Sequence, residues 1–394
     1  MRAGTKPTAS RNLRSLDKDQ IQRLAAAIAT IVTFDVAMGL TYPLLSFLLK
    51  AQNYGEAVIG LNAAMTPIGL ILVSYFIPPL VTLMGSKTLV RIAAVLMCVT
   101  LLGFKAFPSI EAWFVLRFLL GVAGGILFGL SETWVVQAAE GPARARIMAL
   151  YAAILSAGFA IGPFMLPFTG YDGWMPVLIA SSLGILTLIP IIFVQTEDKT
   201  ADEDKAMTML DFIPLAPMLV TAVFVFSFMD SGLLALFPIF GTESGLSKDV
   251  TSYALGVLII GNAVLQFFVG WLADRLPKYF VIAGCSLTTV VMCAVLPMVM
   301  GDLMMWPVLV VLGTAGFSIY TVSLAIFGER FRGSALIAGA SAFAAMWGLG
   351  GIISPPTVGF AMEAYGPNAM PAVMGIVYAL LAVFIVMRIA QGRR

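Results

Sequence analysis

The 394-residue chain has no histidine, three cysteines and little charge: 11% Asp, Glu, Lys and Arg against 60% hydrophobic residues. A soluble globular protein carries about 25% charged residues. The deficit excludes a disordered chain, a disulfide scaffold, a nucleic-acid binder and a soluble fold, because there is too little polar surface to meet water. The missing histidine removes His-based triads, most zinc sites and haem ligation by His. It also leaves carboxylates as the groups able to carry protons near neutral pH. Cys98, Cys285 and Cys293 lie inside apolar runs without metal-ligand spacing, so they read as buried thiols. No metal or other cofactor is expected. A Walker-type loop and a Gly-x-Ser-x-Gly elbow are also absent, which argues against ATP drive and against an enzyme.

What is present is apolar length. A helix needs about 20 apolar residues to cross a bilayer. Twelve such runs predict an all-α membrane protein: Arg23–Leu49, Ala57–Leu83, Thr88–Ala106, Ala112–Ala138, Ile147–Phe168, Trp174–Val194, Phe212–Phe240, Ser252–Ala273, Tyr279–Met300, Met304–Phe327, Ala335–Ala361 and Asn368–Ile389. With the N-terminus inside, 19 of the 23 Lys and Arg fall on one side. The positive-inside rule therefore puts both termini in the cytoplasm of a bacterial inner (plasma) membrane. The acidic stretch Gln195–Lys205 breaks the apolar pattern. It divides the chain into a tail (1–22), a six-helix bundle (23–194), a cytoplasmic linker (195–211) and a second bundle (212–391).

The halves repeat. Gly121 and Gly313 are offset by 192 residues, as are Pro163 and Pro355. Phe34-Asp35 precedes Pro43 as Met229-Asp230 precedes Pro238, which makes Asp230 the expected counterpart of Asp35. A duplicated bundle points to a transporter whose solute site lies between the halves. Three motifs then carry a resemblance. Gly270-x-x-x-Asp274-Arg275-x-Pro277-Lys278 resembles the loop between the second and third helices of each half in the major facilitator superfamily. Arg117-x-x-x-Gly121-x-x-Gly124-Gly125 is similar to its fourth-helix motif. Gly158-x-x-x-Gly162-Pro163 resembles the fifth-helix motif of its proton-coupled exporters. The first-half loop motif departs from the pattern, with Pro78, Thr82 and Leu83 where Gly, Asp and Arg would stand. The resemblance implies two pseudo-symmetric six-helix bundles rocking about a central site.

Charge inside a membrane costs roughly 2.5–3.5 kcal/mol on insertion scales, so each instance needs a reason. Asp35 lies about 18 Å into span one at 1.5 Å per residue. It is the expected proton carrier, with Arg117 as its modulating partner and Asp230 assisting. Arg117 snorkelling to the outer interface is the structural alternative. Glu132 sits near the inner interface, where Arg144 or Arg146 could pair with it. Tyr42, Trp134, Tyr151, Asn262, Gln266, Tyr320 and Trp347 join Glu132 as candidate cavity residues, with helix packing the competing role for each. Gly270, Asp274, Arg275, Glu329, Arg330 and Arg332 form an expected cytoplasmic gate. Gly158, Gly162, Pro163 and Pro355 are the expected hinge. The function implied is proton-coupled export of a small organic solute by a monomer. Proton–solute symport of an organic anion, or lipid flipping, is the alternative. The partners are the solute, protons and the bilayer.

Overall fold

The computed structural model describes residues 18–138, 144–191 and 207–391. The N-terminal tail to residue 17, the loop at 139–143, most of the acidic linker and the final arginines lie outside the described residues, as do the side chains of Arg144 and Arg146. Among the described residues there is no strand.

The first half comprises α1 (Lys18–Ala51), α2 (Glu56–Ser74), α3 (Ile77–Met84), α4 (Ser86–Ala106), α5 (Ile110–Ala138), α6 (Arg144–Thr169), α7 (Met175–Leu186) and α8 (Leu188–Ile191). The second comprises α9 (Met209–Phe212), α10 (Pro217–Glu243), α11 (Lys248–Arg275), α12 (Lys278–Val299), α13 (Met305–Arg330), α14 (Ser334–Tyr365) and α15 (Ala369–Ala390). Among the described residues ten helices are long and apolar enough to cross a bilayer, and the α6 and α7 segments are shorter apolar helices. α9 opens with a capping box between Thr208 and Asp211, which holds the exposed Asp211 carboxyl below its usual range.

Two predicted spans are interrupted. Span two stops at Ser74 and resumes as α3, whose second residue is Pro78. A proline has no N–H and its ring clashes with the carbonyl four residues back, here Ser74. Span six breaks between α7 and α8. Pro190 sits four residues beyond Leu186 and ends the ladder for the same reason.

Helix contacts repeat between the halves. α1 packs on α5, α6 and α7 as α10 packs on α13, α14 and α15; α2 on α5 matches α11 on α13; α4 on α5 and α7 matches α12 on α13 and α15. The seam between halves is made by α2 against α14, α6 against α11 and α1 against α10. Association inside a bilayer relies on close packing because lipid is as apolar as the side chains. The crossings accordingly fall on glycines. A methyl group on Gly121 would strike the Thr66 carbonyl, and one on Gly313 the Leu258 carbonyl. Gly69 faces the Phe118 carbonyl and Gly261 the Val310 carbonyl. Each pair of contacts keeps the offset of 192.

The same offset corrects the pairing of the two aspartates. Gly39 abuts Phe159, and Ser231 abuts Gly351; Gly162 abuts Gly39 and Leu40, and Ser354 abuts Gly232. Gly158 faces Val32 and Asp35, whereas Gly350 faces Phe224 and Ser227. Asp35 therefore corresponds to Ser227, and Asp230 to Met38. The Phe34-Asp35/Met229-Asp230 match is a local coincidence, three residues out of register with the helix crossings.

Candidate functional site

The charges predicted inside the membrane occupy two levels of the bundle. Arg117, on α5, is 2% exposed, with its guanidinium 4.9 Å from the centre of the Tyr42 ring on α1. Its Nε and Nη2 have no hydrogen-bond partner. It does not snorkel to the interface. The α2–α5 crossing sets Thr66 against Gly121 and Val73 against Gly125, which brings Asn62 level with Arg117. Asn62 is fully buried, and neither its amide nitrogen nor its amide oxygen is bonded. From the second half, Gly351 packs between Pro67 and Ser231, which places neighbouring Asp230 at the depth of Pro67, about 7 Å toward the terminal end from Asn62 at helical rise. Arg117 and Asp230 are the two charged groups acting on Tyr42. Asn62 was missed from sequence, although an amide in the middle of an apolar span is a usable signal.

The second level lies nearer the chain termini. Asp35 is seven residues from Tyr42 along α1, about 10 Å at helical rise. Its expected pairing with Arg117 is not formed. Asp35 is 6% exposed and rests against Gly158 of α6, where an added Cβ would lie 3.6 Å from its own. Among the described residues no cation contacts it. The buried Tyr151 hydroxyl is unbonded and has Glu132 and Asp35 as its charged neighbours. Glu132 is half-buried and also acts on Tyr320, which stacks on Phe226 at 4.7 Å. Trp134 is buried in the core. The structure thus groups Asp35, Glu132, Tyr151 and Tyr320, and separates them from Arg117 and Tyr42, with Asp230 at an intermediate depth.

The other expected cavity residues lie on the second half. Gln266 donates from Nε2 to Thr321 Oγ1 at 2.7 Å and ties α11 to α13. Asn262 is half-buried with an unbonded carbonyl oxygen. The Trp347 carbonyl accepts from Ser227, and the Phe228 carbonyl from Ser354, joining α10 to α14. Of the expected hinge residues, Gly162 and Gly158 lie on the α1–α6 crossing, while the Pro355 carbonyl meets Gly60 across the seam.

The seam is fastened at the end away from the termini. Lys50 Nζ reaches Glu243 Oε1 at 2.6 Å across the halves and also contacts Glu56. Glu363 accepts from the Ala57 backbone N–H at 3.1 Å, so a second-half carboxylate caps the start of α2. Ser46 donates to the Ala235 carbonyl at 2.7 Å, and the Tyr171 and Ser252 hydroxyls meet at 3.2 Å. Nearby, Asp172 is held below the usual carboxylate range by the Gly173 N–H and Lys105.

The terminal end differs. Arg275 lies 3.9 Å over the Trp271 ring of its own helix, and Arg332 bonds to the Gly328 and Phe331 carbonyls. Arg330 lies 5.7 Å from the Phe331 ring, Asp274 is exposed, and Gly270 has open space around it. Glu329 pairs with Lys278 at 3.0 Å, a partner the sequence reading left out of the gate. These links all stay within the second half.

Comparison with known proteins agrees with this architecture. The family model described as Major Facilitator Superfamily matches residues 27–320 and again 219–393. The uncharacterized MFS-type transporter YfkF of Bacillus subtilis is 22% identical over 335 residues, covering 84% of this chain and 86% of the relative. The uncharacterized MFS-type transporter Ent638_1421 of Enterobacter is 22% identical over 334 residues, covering 81% and 87%. The crystal structure of nucleoside transporter NupG superposes with a TM-score of 0.74 at 14% identity, covering 94% of this chain and 99% of that one. At that identity the likeness speaks to the fold.

Proposed function

Because the chain belongs to the Major Facilitator Superfamily, we propose that it is a proton-coupled secondary transporter, moving a small organic solute by rocking of its two bundles. The observation that carries this reading is Asp35: a carboxylate buried beside Gly158, without a cation in contact among the described residues, in a chain with no histidine. Such a group alternates between charged and neutral forms when access to water changes. The seam supplies that change, because it is clasped at one end by Lys50, Glu243 and Glu363. The positive-inside rule assigns the opposite end, with both termini, to the cytoplasm of a bacterial inner membrane. The state seen here is then inward-facing, with the Asp274–Arg275 and Glu329–Arg332 segments engaging across the halves only when the protein faces outward. One monomer contains every part.

Export by proton antiport is our reading of direction, supported by the span-five glycines that seat Asp35. A second reading, symport of an organic anion, is favoured by the unpartnered guanidinium edge of Arg117. Reconstitution under an imposed pH gradient tests both. Solute flux should dissipate the gradient in the wild type and cease to do so in Asp35→Asn. The sign of coupled proton movement separates antiport from symport. Flux that stays coupled in Asp35→Asn would overturn the proposal.

A further inference from the structure

Buried polar groups in folded proteins are almost always bonded, and an unbonded one calls for an explanation. At the Arg117 level two neighbouring side chains break the rule together. Arg117 is 98% buried by its 2% exposure, and its bare atoms are Nε and Nη2. Those two nitrogens share one edge of the guanidinium and carry parallel N–H bonds. A carboxylate meets that edge with both oxygens. The Tyr42 ring lies near the guanidinium and leaves this edge free. Asn62, at the same depth on α2, has a free donor and a free acceptor. Across the seam, the packing of Gly351 between Pro67 and Ser231 brings Asp230 to the depth of Pro67, about 7 Å along α2 from Asn62, and Asp230 acts with Arg117 on Tyr42. Opposite charges thus approach from the two halves, yet Arg117 and Asp230 form no ion pair with each other. A neutral solute would leave both unmatched in a medium where an unpaired charge is costly.

We propose that this level binds an amphoteric solute, a small carboxylate that also carries an ammonium group. Arg117 and Asn62 take the carboxylate, and Asp230 takes the ammonium. The solute then bridges the two bundles, so its binding couples to their rocking. The proposal rests on the transporter reading and names the solute class for it.

The test uses purified full-length protein without any proton gradient, so it reads binding apart from coupling. Thermal stability is measured with each proteinogenic amino acid and glycine betaine, with n-butyrate, with n-butylamine, and with uridine. Binding to the native state raises the melting temperature with the logarithm of ligand concentration over dissociation constant. At least one amphoteric compound should stabilise, and n-butyrate and n-butylamine, which carry one charge each, should bind about tenfold or more weakly. Arg117→Lys keeps the charge but loses the fork, and should weaken that compound about tenfold, as should Asp230→Asn. Both variants should keep the unliganded melting temperature within a few degrees, and Asn62→Ala serves as a third variant if either does not. The site is overturned if no amphoteric compound stabilises, if uridine stabilises equally, or if the shift survives Arg117→Lys and Asp230→Asn. Binding that persists in Asp35→Asn while coupled flux is lost supports both proposals. Binding that fails while another solute is transported overturns this one alone.

Discussion

A carboxylate buried in a helix bundle must justify its cost, and among the described residues no cation contacts Asp35 to offset it. It lies beside Gly158 at the α1–α6 crossing and acts on Tyr151. Paired buried charges can be close to neutral for stability, but an unpaired one is a net burden. The amide of asparagine has the same shape and carries no charge. Asp35→Asn should therefore melt at an equal or higher temperature than the wild type in detergent, measured by intrinsic fluorescence, while losing coupled flux. A variant that gains stability as it loses function would place Asp35 among residues kept for mechanism. A fall of more than about 2 kcal/mol, the scale of a lost buried hydrogen-bonded charge, would instead mean that Asp35 holds the helices together. Arg117 illustrates what sequence could and could not yield at this scale. That an arginine in span four needed a buried role was legible. That its partner would be the Tyr42 ring, with Asp35 about two turns away along α1, required knowing how α1 and α5 slide past each other.

At the scale of helices, the glycine crossings determine the register. Gly313 leaves no room for a methyl group against the Leu258 carbonyl, and backbone cannot yield as a side-chain tip can. Gly270 has nothing within 4 Å of an added Cβ. Overpacking a tight site costs about 1–3 kcal/mol, and alanine is the better helix former where space is open. Gly313→Ala should lower the melting temperature by several degrees, and Gly121→Ala should do the same at the matching crossing. Gly270→Ala should be neutral or slightly stabilising. Equal effects at all three positions would refute the close-packed crossings. The 192-residue offset was readable from Gly121, Gly313, Pro163 and Pro355 because close contacts restrict the residue type. It was misread in span one because an Asp followed eight residues later by Pro is too short a pattern to define a register. The breaks in spans two and six were also written in the chain, at Pro78 and Pro190. An apolar run hides them from a count based on hydropathy alone.

For the whole molecule, the question is what holds one end of the seam shut. The far-end clasp combines an ion pair, Lys50 with Glu243, and a cap, in which Glu363 of the second half serves the free N–H of Ala57. The cap also explains Gly55 at this position, since a Cβ there would lie 2.8 Å from Glu363 Oε2. Glu56 shares Lys50, so the lysine stays paired within its own half when the halves part. The Lys50 side chain is 37% exposed, so screening by water limits that pair to roughly 0–1 kcal/mol. A carboxylate at a helix N-terminus adds about 0.5–2 kcal/mol. Their sum is enough to shift a two-state equilibrium about tenfold without threatening the fold, as a reversible clasp requires. Glu363→Gln combined with Glu243→Gln should therefore move the population toward the outward-open state. The readout is maleimide labelling of a single cysteine introduced at Ser231, in a background with Cys98, Cys285 and Cys293 replaced. Labelling from the far side should rise about tenfold in the double variant, and labelling from the terminal side should fall. If both rates are unchanged, the clasp carries no weight in the equilibrium, and the closed end is held by the glycine contacts of Gly60 with Pro355 and Gly359 with Glu56 and by the Ser46–Ala235 and Tyr171–Ser252 hydrogen bonds.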